Sequence, residues 1–168
     1  MVRIFCKNTG TYKGTPLLDI APAFEFDKPY DILAAKVNNV AEGLRFRVFH
    51  NRDVEFLDYR TYIGRSFYSR SLCFLLYKAT RDLFPESRMT IRRPISKGYF
   101  CSVYKNDGSF LTEEDVEAIG ERMRELVSEN IPFRRKELQI AEAIRIFKES
   151  GDLDKVKLLE TCGEVYIT

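Results

Sequence analysis

Arginines and aromatic rings that recur at helical spacing near the middle of the chain are the residues best suited to chemistry. They fall at i, i+4, i+7 and i+11: Arg70, Phe74, Tyr77 and Arg81. Such spacing places side chains along one face of a helix. Guanidinium groups bind phosphate through paired hydrogen bonds, and aromatic rings stack on nucleobases. The stripe therefore predicts a surface that binds anions or nucleic acid.

Positive charge concentrates in the same region. Residues 60–105 carry 10 basic and 2 acidic side chains, whereas residues 106–168 carry 9 basic and 15 acidic ones. The predicted surface also includes three basic residues downstream of the stripe: Arg92, Arg93 and Lys97. Charged helix faces are usually exposed to solvent. A solvated basic face, with Phe74 and Tyr77 packed into a core or against a further domain, is therefore the simpler alternative.

Motifs for phosphoryl transfer and metal binding do not occur in the sequence. The segment nearest to a Walker A loop, Gly10–Thr15, lacks the Gly-Lys pair that such a loop needs to reach a phosphate. The 4 cysteines follow no zinc-site spacing, and the single histidine, His50, falls in a predicted turn. We therefore expect no catalytic residue, no metal site and no cofactor within these residues.

Short strands and an early helix are predicted for the first third of the chain. Strand patterns occur at Val2–Cys6, Thr11–Lys13, Ile32–Asn38, Leu44–Phe49 and Val54–Leu57. Thr15 and Pro16 predict the start of a short helix, because threonine suits the N-cap and proline the first helical position. Two strands, a short helix and further strands within about 60 residues indicate a β-grasp unit.

The rest of the chain is predicted to be α+β and to begin with a long helix. In order, the predicted elements are a helix from about Ser66 to Phe84, strands at Met89–Ile91 and Tyr99–Tyr104, a helix after a capping box of Thr112 and Asp115, a strand at Phe133–Arg135 and a final helix at Ile140–Phe147. The pattern changes near Arg60 to Gly64. This change predicts two domains, residues 1–61 and 62–168.

Four segments of the second domain follow the order and spacing of the editing-type domain of threonyl-tRNA synthetases, which they resemble: DLFPESRMTI, PISKGYFCSV, FLTEEDVEAIGERMRELVSENIPFRR and AIRIFKESGDLDKVKLLE. The first domain resembles the TGS domain that precedes this fold in the same synthetases. The resemblance implies a TGS-like β-grasp domain followed by an α+β fold of the editing-domain type.

The resemblance also bears on catalysis by the second domain. Editing domains hydrolyse mischarged tRNA with a cluster that includes an H-x-x-x-H pair on the long helix, and Arg70 and Phe74 stand at those two positions here. Arginine does not act as a general base, and phenylalanine binds neither a metal nor a proton. The implied domain is therefore a degenerate one without editing activity.

Several stretches are similar to bacterial uridine-kinase-like proteins, in which the same two modules precede a P-loop kinase domain: AAKVNNVAEGLRFRVFHNRDVEFLD, RSLCFLLYKAT, RPISKGYFC and DKVKLLET. This similarity implies a non-catalytic regulatory or ligand-binding N-terminal region. Its partner would be a C-terminal kinase domain, absent here, that phosphorylates a nucleoside with ATP and Mg²⁺. The alternative is an accessory module that binds tRNA or another RNA and derives from threonyl-tRNA synthetase.

The sequence carries no visible signal for export or membrane insertion. Its N-terminal residues lack the apolar stretch of a signal peptide. No apolar run approaches the roughly 20 residues that span a bilayer. We therefore expect a cytoplasmic protein with free thiols and no membrane partner.

Overall fold

The computed structural model describes residues 2–4, 14–23, 30–95 and 98–167. It combines small antiparallel sheets with helices, which confirms the predicted α+β class. The chain divides into two compact units, residues 1–75 and 76–168. The domain boundary predicted between residues 61 and 62 stays a prediction. No helix in the described part of the chain is both long enough and apolar enough to cross a membrane.

The first unit is built mainly of short strands. In chain order its described elements are β1 (Val2–Ile4), β2 (Thr15–Pro16), α1 (Leu17–Ile20), a 3-10 turn (Ala21–Ala23), β3 (Ile32–Val37), β4 (Val40–Glu42), β5 (Arg47–Val48), β6 (Arg52–Asp58) and the first part of α2 (Tyr62–Leu83). Strands β1, β6, β3 and β4 form one sheet in that order, with every neighbouring pair antiparallel.

A two-residue turn follows β3. Asn38 and Asn39 connect β3 to β4 with φ values of 48° and 67°. Asparagine tolerates this left-handed conformation better than most residues, and two such residues in succession match the twist of a hairpin. The Asn38 side chain also accepts a hydrogen bond from the Asp53 N–H at 3.0 Å, which ties the turn to β6.

A buried apolar cluster forms the core of the first unit, between the sheet and the segments that carry α1 and β5. Its members are Leu17, Ala35, Val37, Val48 and Val54. Val37 and Val54 are direct cross-strand partners on β3 and β6. Because side chains alternate across a strand, these positions face inward while their neighbours face out. Phe46 and Phe56 pack against the cluster from its edge.

The predicted strand at Leu44–Phe49 is wrong except for β5. Leu44 and Arg45 form a turn, closed by a hydrogen bond from the Phe46 N–H to the Gly43 carbonyl at 2.9 Å. The physical reason is the start of α1, whose first N–H groups need acceptors. The Leu17 N–H donates to the Phe46 carbonyl at 2.9 Å, and the next N–H donates to the Leu44 carbonyl at 2.8 Å.

The helix start predicted at Thr15 is also shifted. Thr15 and Pro16 form β2, which pairs with β5, and Pro16 occupies the N-cap of α1 without a side-chain hydrogen bond. The backbone acceptors near β5 therefore replace the threonine cap that the sequence predicts. The predicted strand at Thr11–Lys13 and the end of the one at Val2–Cys6 lie outside the described residues.

The chain passes from β6 into α2 within three residues. The Thr61 hydroxyl donates to the Asp58 carbonyl at 2.9 Å and accepts from the N–H of the third helical residue at 3.0 Å, as an N-cap threonine does. Arg60 pairs with the Asp58 carboxylate at 2.6 Å, and this contact lowers the pKa of Asp58. The Tyr59 ring meets the Tyr68 ring edge-on, with centroids 5.3 Å apart.

The second unit contains the end of α2, followed by a hairpin and three helices. Its further elements are β7 (Arg88–Ile95), β8 (Gly98–Tyr104), α3 (Glu113–Ser128), β9 (Leu138–Gln139), α4 (Ile140–Glu149), α5 (Leu153–Glu160) and β10 (Tyr166–Ile167). Strands β7 and β8 pair antiparallel, and both are longer than predicted.

The capping box predicted for α3 is confirmed. The Thr112 hydroxyl accepts from the Asp115 N–H at 3.2 Å, and the Asp115 carboxylate accepts from the Thr112 N–H at 2.8 Å. Lys105 forms a salt bridge with the same carboxylate. Lys105 and the Thr112 N–H together lower the pKa of Asp115 to about 2.

The last part of the second unit differs from its prediction. Residues Phe133–Arg135 form no strand; the nearby strand is β9, which pairs with β10. The final helix divides into α4 and α5, with Gly151 between them at φ 76°. The helix predicted at Ile140–Phe147 corresponds to α4, whereas α5 was not predicted. Val156 and Leu159 are the buried residues of α5.

Candidate nucleic-acid interface

Arg70 and Phe74 lie one turn apart on α2, and both side chains are exposed. Phe74 leaves 58% of its surface open to solvent, which is a large fraction for an aromatic side chain. Arg70 makes no ion pair with any of the residues that the structure describes. A guanidinium and a ring in this arrangement can contact a phosphate and stack on a base.

Tyr77 and Arg81, the other half of the predicted stripe, already have partners within the second unit. The Tyr77 hydroxyl donates to the Asp152 carboxylate at 2.9 Å and accepts from the Lys155 ammonium at 2.9 Å. Arg81 donates to the Ser150 carbonyl at 2.9 Å and lies 4.0 Å from the Asp152 carboxylate. These contacts attach the end of α2 to the connection between α4 and α5.

Asp152 is the centre of that cluster. Its burial raises the pKa, but the hydrogen bond from Tyr77 and the positive charge of Lys155 outweigh burial, so that the pKa of Asp152 lies below its ordinary value. Lys155 also lies over the Tyr77 ring, 4.2 Å from its centroid, and over the Phe147 ring at 4.9 Å. Asp152 is therefore charged at neutral pH, and its carboxylate is the anion that Tyr77 and Arg81 contact.

Asp152→Asn is expected to lower the free energy of unfolding by about 1–2 kcal/mol at neutral pH, because the variant removes a charged acceptor. The folded pKa lies below the unfolded value, so the stabilisation is present above about pH 4 and is lost as the pH falls through the folded pKa. Wild type and variant should therefore converge in acid. Urea unfolding at neutral and acidic pH measures the difference.

Asp154→Asn is the matched control for that experiment. Asp154 pairs with Arg88 at 2.7 Å, but both side chains are well exposed, and exposed ion pairs contribute little to stability. Its removal should change the unfolding free energy by less than about 0.5 kcal/mol. A loss at Asp152 that stays equally large in acid would contradict the assigned role of its charge.

Two of the remaining predicted site residues, Arg92 and Arg93, belong to β7. Arg92 is exposed there. Lys97 lies outside the described residues. Tyr99 and Phe100 on β8 are each about half exposed, so the hairpin presents rings as well as positive charge. The contribution of these residues to binding stays a prediction.

The acidic residues of the second unit neutralise much of its positive charge. The ion pairs within the unit include Lys78–Asp82, Arg122–Asp82, Arg88–Asp154 and Lys105–Asp115. The contacts of Lys78 and Arg122 lower the pKa of Asp82, and those of Glu125 and Asp82 raise the pKa of Arg122. The positive charge available to a ligand is therefore smaller than the excess of basic residues in the sequence suggests.

A cavity of about 490 Å³ lies among α2, β8 and α3 in the second unit. Thr80 on its wall is fully buried, and its hydroxyl has no hydrogen-bond partner among the described residues. The lining is otherwise mostly apolar, with Phe110 and Val116 exposed at the rim. Such a wall offers few groups to orient an anion. Sequence patterns gave no sign of the cavity, because its lining comes from several elements.

Metal-binding clusters are not found among the described residues. The cysteines that the structure describes, Cys73, Cys101 and Cys162, form no disulfide with one another. His50, the single histidine, lies in the bend between β5 and β6 and is exposed. In the sequence, His50 is distant from Arg70 and Phe74, the residues at the two positions where the resemblance implies the H-x-x-x-H pair.

Comparison with known proteins shows what the chain is similar to. The chain is 30% identical over 151 residues to the threonine–tRNA ligase of Desulforamulus reducens, an alignment that covers 90% of the chain and 24% of the ligase. The chain is homologous to the N-terminal part of threonine–tRNA ligases. The ligase of Clostridium kluyveri is 29% identical over 98% of the chain and 26% of its own length, and that of Laribacter hongkongensis is 33% identical over 79% and 21%. No protein-family model matches.

The threonine–tRNA ligases bear directly on the two alternatives left by the sequence. The chain spans about a quarter of the length of these ligases. The homology favours a module derived from a tRNA synthetase, and it gives no support to a nucleoside-kinase parent. The ATP and Mg²⁺ expected for a kinase domain therefore stay predictions without support.

Proposed function

We propose that this chain is an RNA-binding accessory module, derived from the N-terminal part of a threonine–tRNA ligase, that contacts tRNA without editing it. The observation that carries the proposal is the exposed pair of Arg70 and Phe74 on α2. They replace the two editing histidines implied by the sequence resemblance, so a catalytic position becomes a binding position.

The finer domain assignment is part of the same proposal. We assign the first domain to the TGS-like β-grasp class, which its four-stranded sheet and the short helix α1 packed on the core support. We assign the second to the editing-domain-like class, which the homology to threonine–tRNA ligases supports. Cys73, Cys101 and Cys162 form no disulfide with one another, which suits the reducing cytoplasm in which we place the module.

The surface chemistry of α2 fits RNA better than it fits a free anion. Arg70 supplies a guanidinium that binds phosphate, and the neighbouring ring of Phe74 supplies a platform for a base. Single-stranded ends and loops of RNA offer both groups to a protein, since their bases are not stacked within a duplex. We therefore expect the contact to be with an unpaired region of tRNA.

The test is binding of fluorescently labelled tRNA by the purified chain, followed by anisotropy at about 50 and 200 mM salt. Affinity should fall with salt, since phosphate contacts release counterions. Arg70→Glu is expected to weaken binding about tenfold and to flatten the salt dependence. Phe74→Ala should weaken it about fivefold or more while leaving the salt dependence unchanged, because a ring carries no charge.

Arg145→Glu is the matched control, since Arg145 is an exposed arginine on another helix, α4. Its affinity for tRNA should stay within about twofold of wild type if α2 carries the contact. Equal losses in Arg70→Glu and Arg145→Glu would show that net charge alone drives binding. Absence of tRNA binding by the wild-type chain at low salt would overturn the proposal.

A further inference from the structure

A second concave surface lies in the first unit, where the chain turns from β5 into β6. It has a volume of about 460 Å³ and is lined by Phe46, Arg47, Phe49, His50 and Arg52. Among the described residues, the lining thus contains two aromatic rings, two guanidinium groups and the single imidazole of the chain. None of these described lining residues is acidic.

The local backbone explains why these side chains meet. Val48 is buried in the core of the unit, and because side chains alternate along a strand, its neighbours Arg47 and Phe49 lie on the opposite side. Arg47 and Phe49 are accordingly exposed. The bend at His50 then reverses the chain into β6, which brings Arg52 to the same concavity.

Two contacts with Gly14 hold the rim in place. Arg47 donates a hydrogen bond to the Gly14 carbonyl at 3.0 Å. A Cβ atom at Gly14 would lie 2.7 Å from the Phe49 ring, so the ring approaches the backbone more closely than any other residue type would allow. Gly14 also has φ 53°, a conformation that favours glycine. The ring and the guanidinium are therefore positioned before any ligand binds.

We propose that this concavity binds a nucleotide, with the base against the Phe49 ring and the phosphate at Arg52. Guanidinium groups match the geometry of phosphate oxygens, and a heteroaromatic base gains from stacking on an exposed ring. The volume falls within the range of small-molecule sites. Inorganic phosphate would contact the arginines but not the rings, and an apolar ligand would contact the rings but not the guanidinium groups.

The nucleotide can be a free one or one unit of a single-stranded RNA, because both present a base and a phosphate. The site involves none of the α2 residues on which the tRNA proposal rests. Failure of either proposal therefore leaves the other intact, and the two are separated by the Arg70→Glu variant, which should bind nucleotide at the β5–β6 concavity as wild type does.

His50 provides a direct reporter for the test, because it is the only histidine in the chain and its imidazole signals in a heteronuclear NMR spectrum need no assignment. The full chain is titrated separately with AMP, UMP, inorganic phosphate and a short single-stranded RNA. We expect saturable shifts of the His50 signals with nucleotide. Inorganic phosphate should require about tenfold higher concentration, because it lacks a base to stack.

The comparison between arms identifies the source of the nucleotide. Saturation by the RNA at a concentration far below that of AMP indicates a strand site, and similar concentrations per nucleotide indicate a site for free nucleotides. Either result supports the proposal. His50 signals that stay unmoved in AMP, UMP and RNA overturn it, as does inorganic phosphate that saturates as readily as AMP.

Variants then assign the two halves of the site. Phe49→Ala should weaken nucleotide affinity about fivefold to hundredfold and leave phosphate affinity unchanged. Arg52→Glu should weaken both by about tenfold or more. Arg45→Glu is the matched control, because Arg45 is an exposed arginine in the preceding turn outside the lining. Unchanged affinity in both Phe49→Ala and Arg52→Glu would overturn the proposal even where wild type binds.

Discussion

Gly64→Ala should lower the free energy of unfolding by roughly 3 kcal/mol or more, a large part of the stability of a domain of this size. A Cβ atom at Gly64 would lie 1.9 Å from the Asp58 carbonyl oxygen and 2.7 Å from its carbon. Both atoms belong to the backbone at the end of β6, so they cannot rotate away as a side chain can. Urea unfolding followed by circular dichroism measures the loss.

Gly120→Ala provides the opposite control for that experiment. Gly120 lies within α3, and a Cβ atom there would meet no other atom within 4 Å. Alanine is the better helix former by about 1 kcal/mol, so this variant should be as stable as wild type or more stable. Wild-type stability of Gly64→Ala would show that the helix does not approach the Asp58 carbonyl as closely as the structure has it.

Leu17→Ala is expected to cost about 2–5 kcal/mol of unfolding free energy, the range for a buried leucine whose removal leaves a cavity. Leu17 is 0% exposed and contributes the largest side chain to the buried cluster of the first unit. Its loss leaves a gap in the cluster to which Val48 and Val54 also belong. Thermal and urea unfolding of the purified variant measure the effect.

Leu18→Ala tests whether position or residue type determines that cost. Leu18 is the next residue on α1 and is 53% exposed. Because helix propensity changes little between leucine and alanine, the variant should stay within about 0.5 kcal/mol of wild type. Similar losses at Leu17 and Leu18 would contradict the placement of the core on one side of α1.

Features whose partners lie within a few residues were predictable from sequence. The Thr112–Asp115 capping box closes over three residues, and the turn at Asn38 and Asn39 needs only two left-handed residues. Gly151 ends α4 for the same local reason. In each case the residue types alone specify the geometry.

Elements that depend on distant partners could not be predicted in the same way. Leu138–Gln139 is a strand because it pairs with Tyr166–Ile167, and two residues are too few to show a strand period. The helix α5 is eight residues long and has two buried residues, Val156 and Leu159. A single apolar pair is too short a pattern to show helical periodicity. The turn at Leu44 likewise depends on the N–H groups of α1.

The candidate site shows the same division. Helical spacing correctly placed Arg70 and Phe74 on a common helix, but it could not indicate that Tyr77 and Arg81 contact Asp152, which lies far along the chain. The lining of the β5–β6 concavity is nearly contiguous in sequence. Most of it lies in the segment predicted as the strand Leu44–Phe49, because alternating rings and arginines are the pattern of a strand.

The connection between β6 and α2 is short, and each of its residues makes a contact. The Thr61 hydroxyl donates to the Asp58 carbonyl and accepts from the Gly64 N–H in the first turn of the helix, Arg60 holds the Asp58 carboxylate, and the Tyr59 ring meets Tyr68 further along α2. These contacts fix the start of α2 to the end of β6, so the helix is not joined to the sheet through a flexible linker. A ligand at the proposed Arg70 surface would therefore act on the strands of the sheet through these contacts.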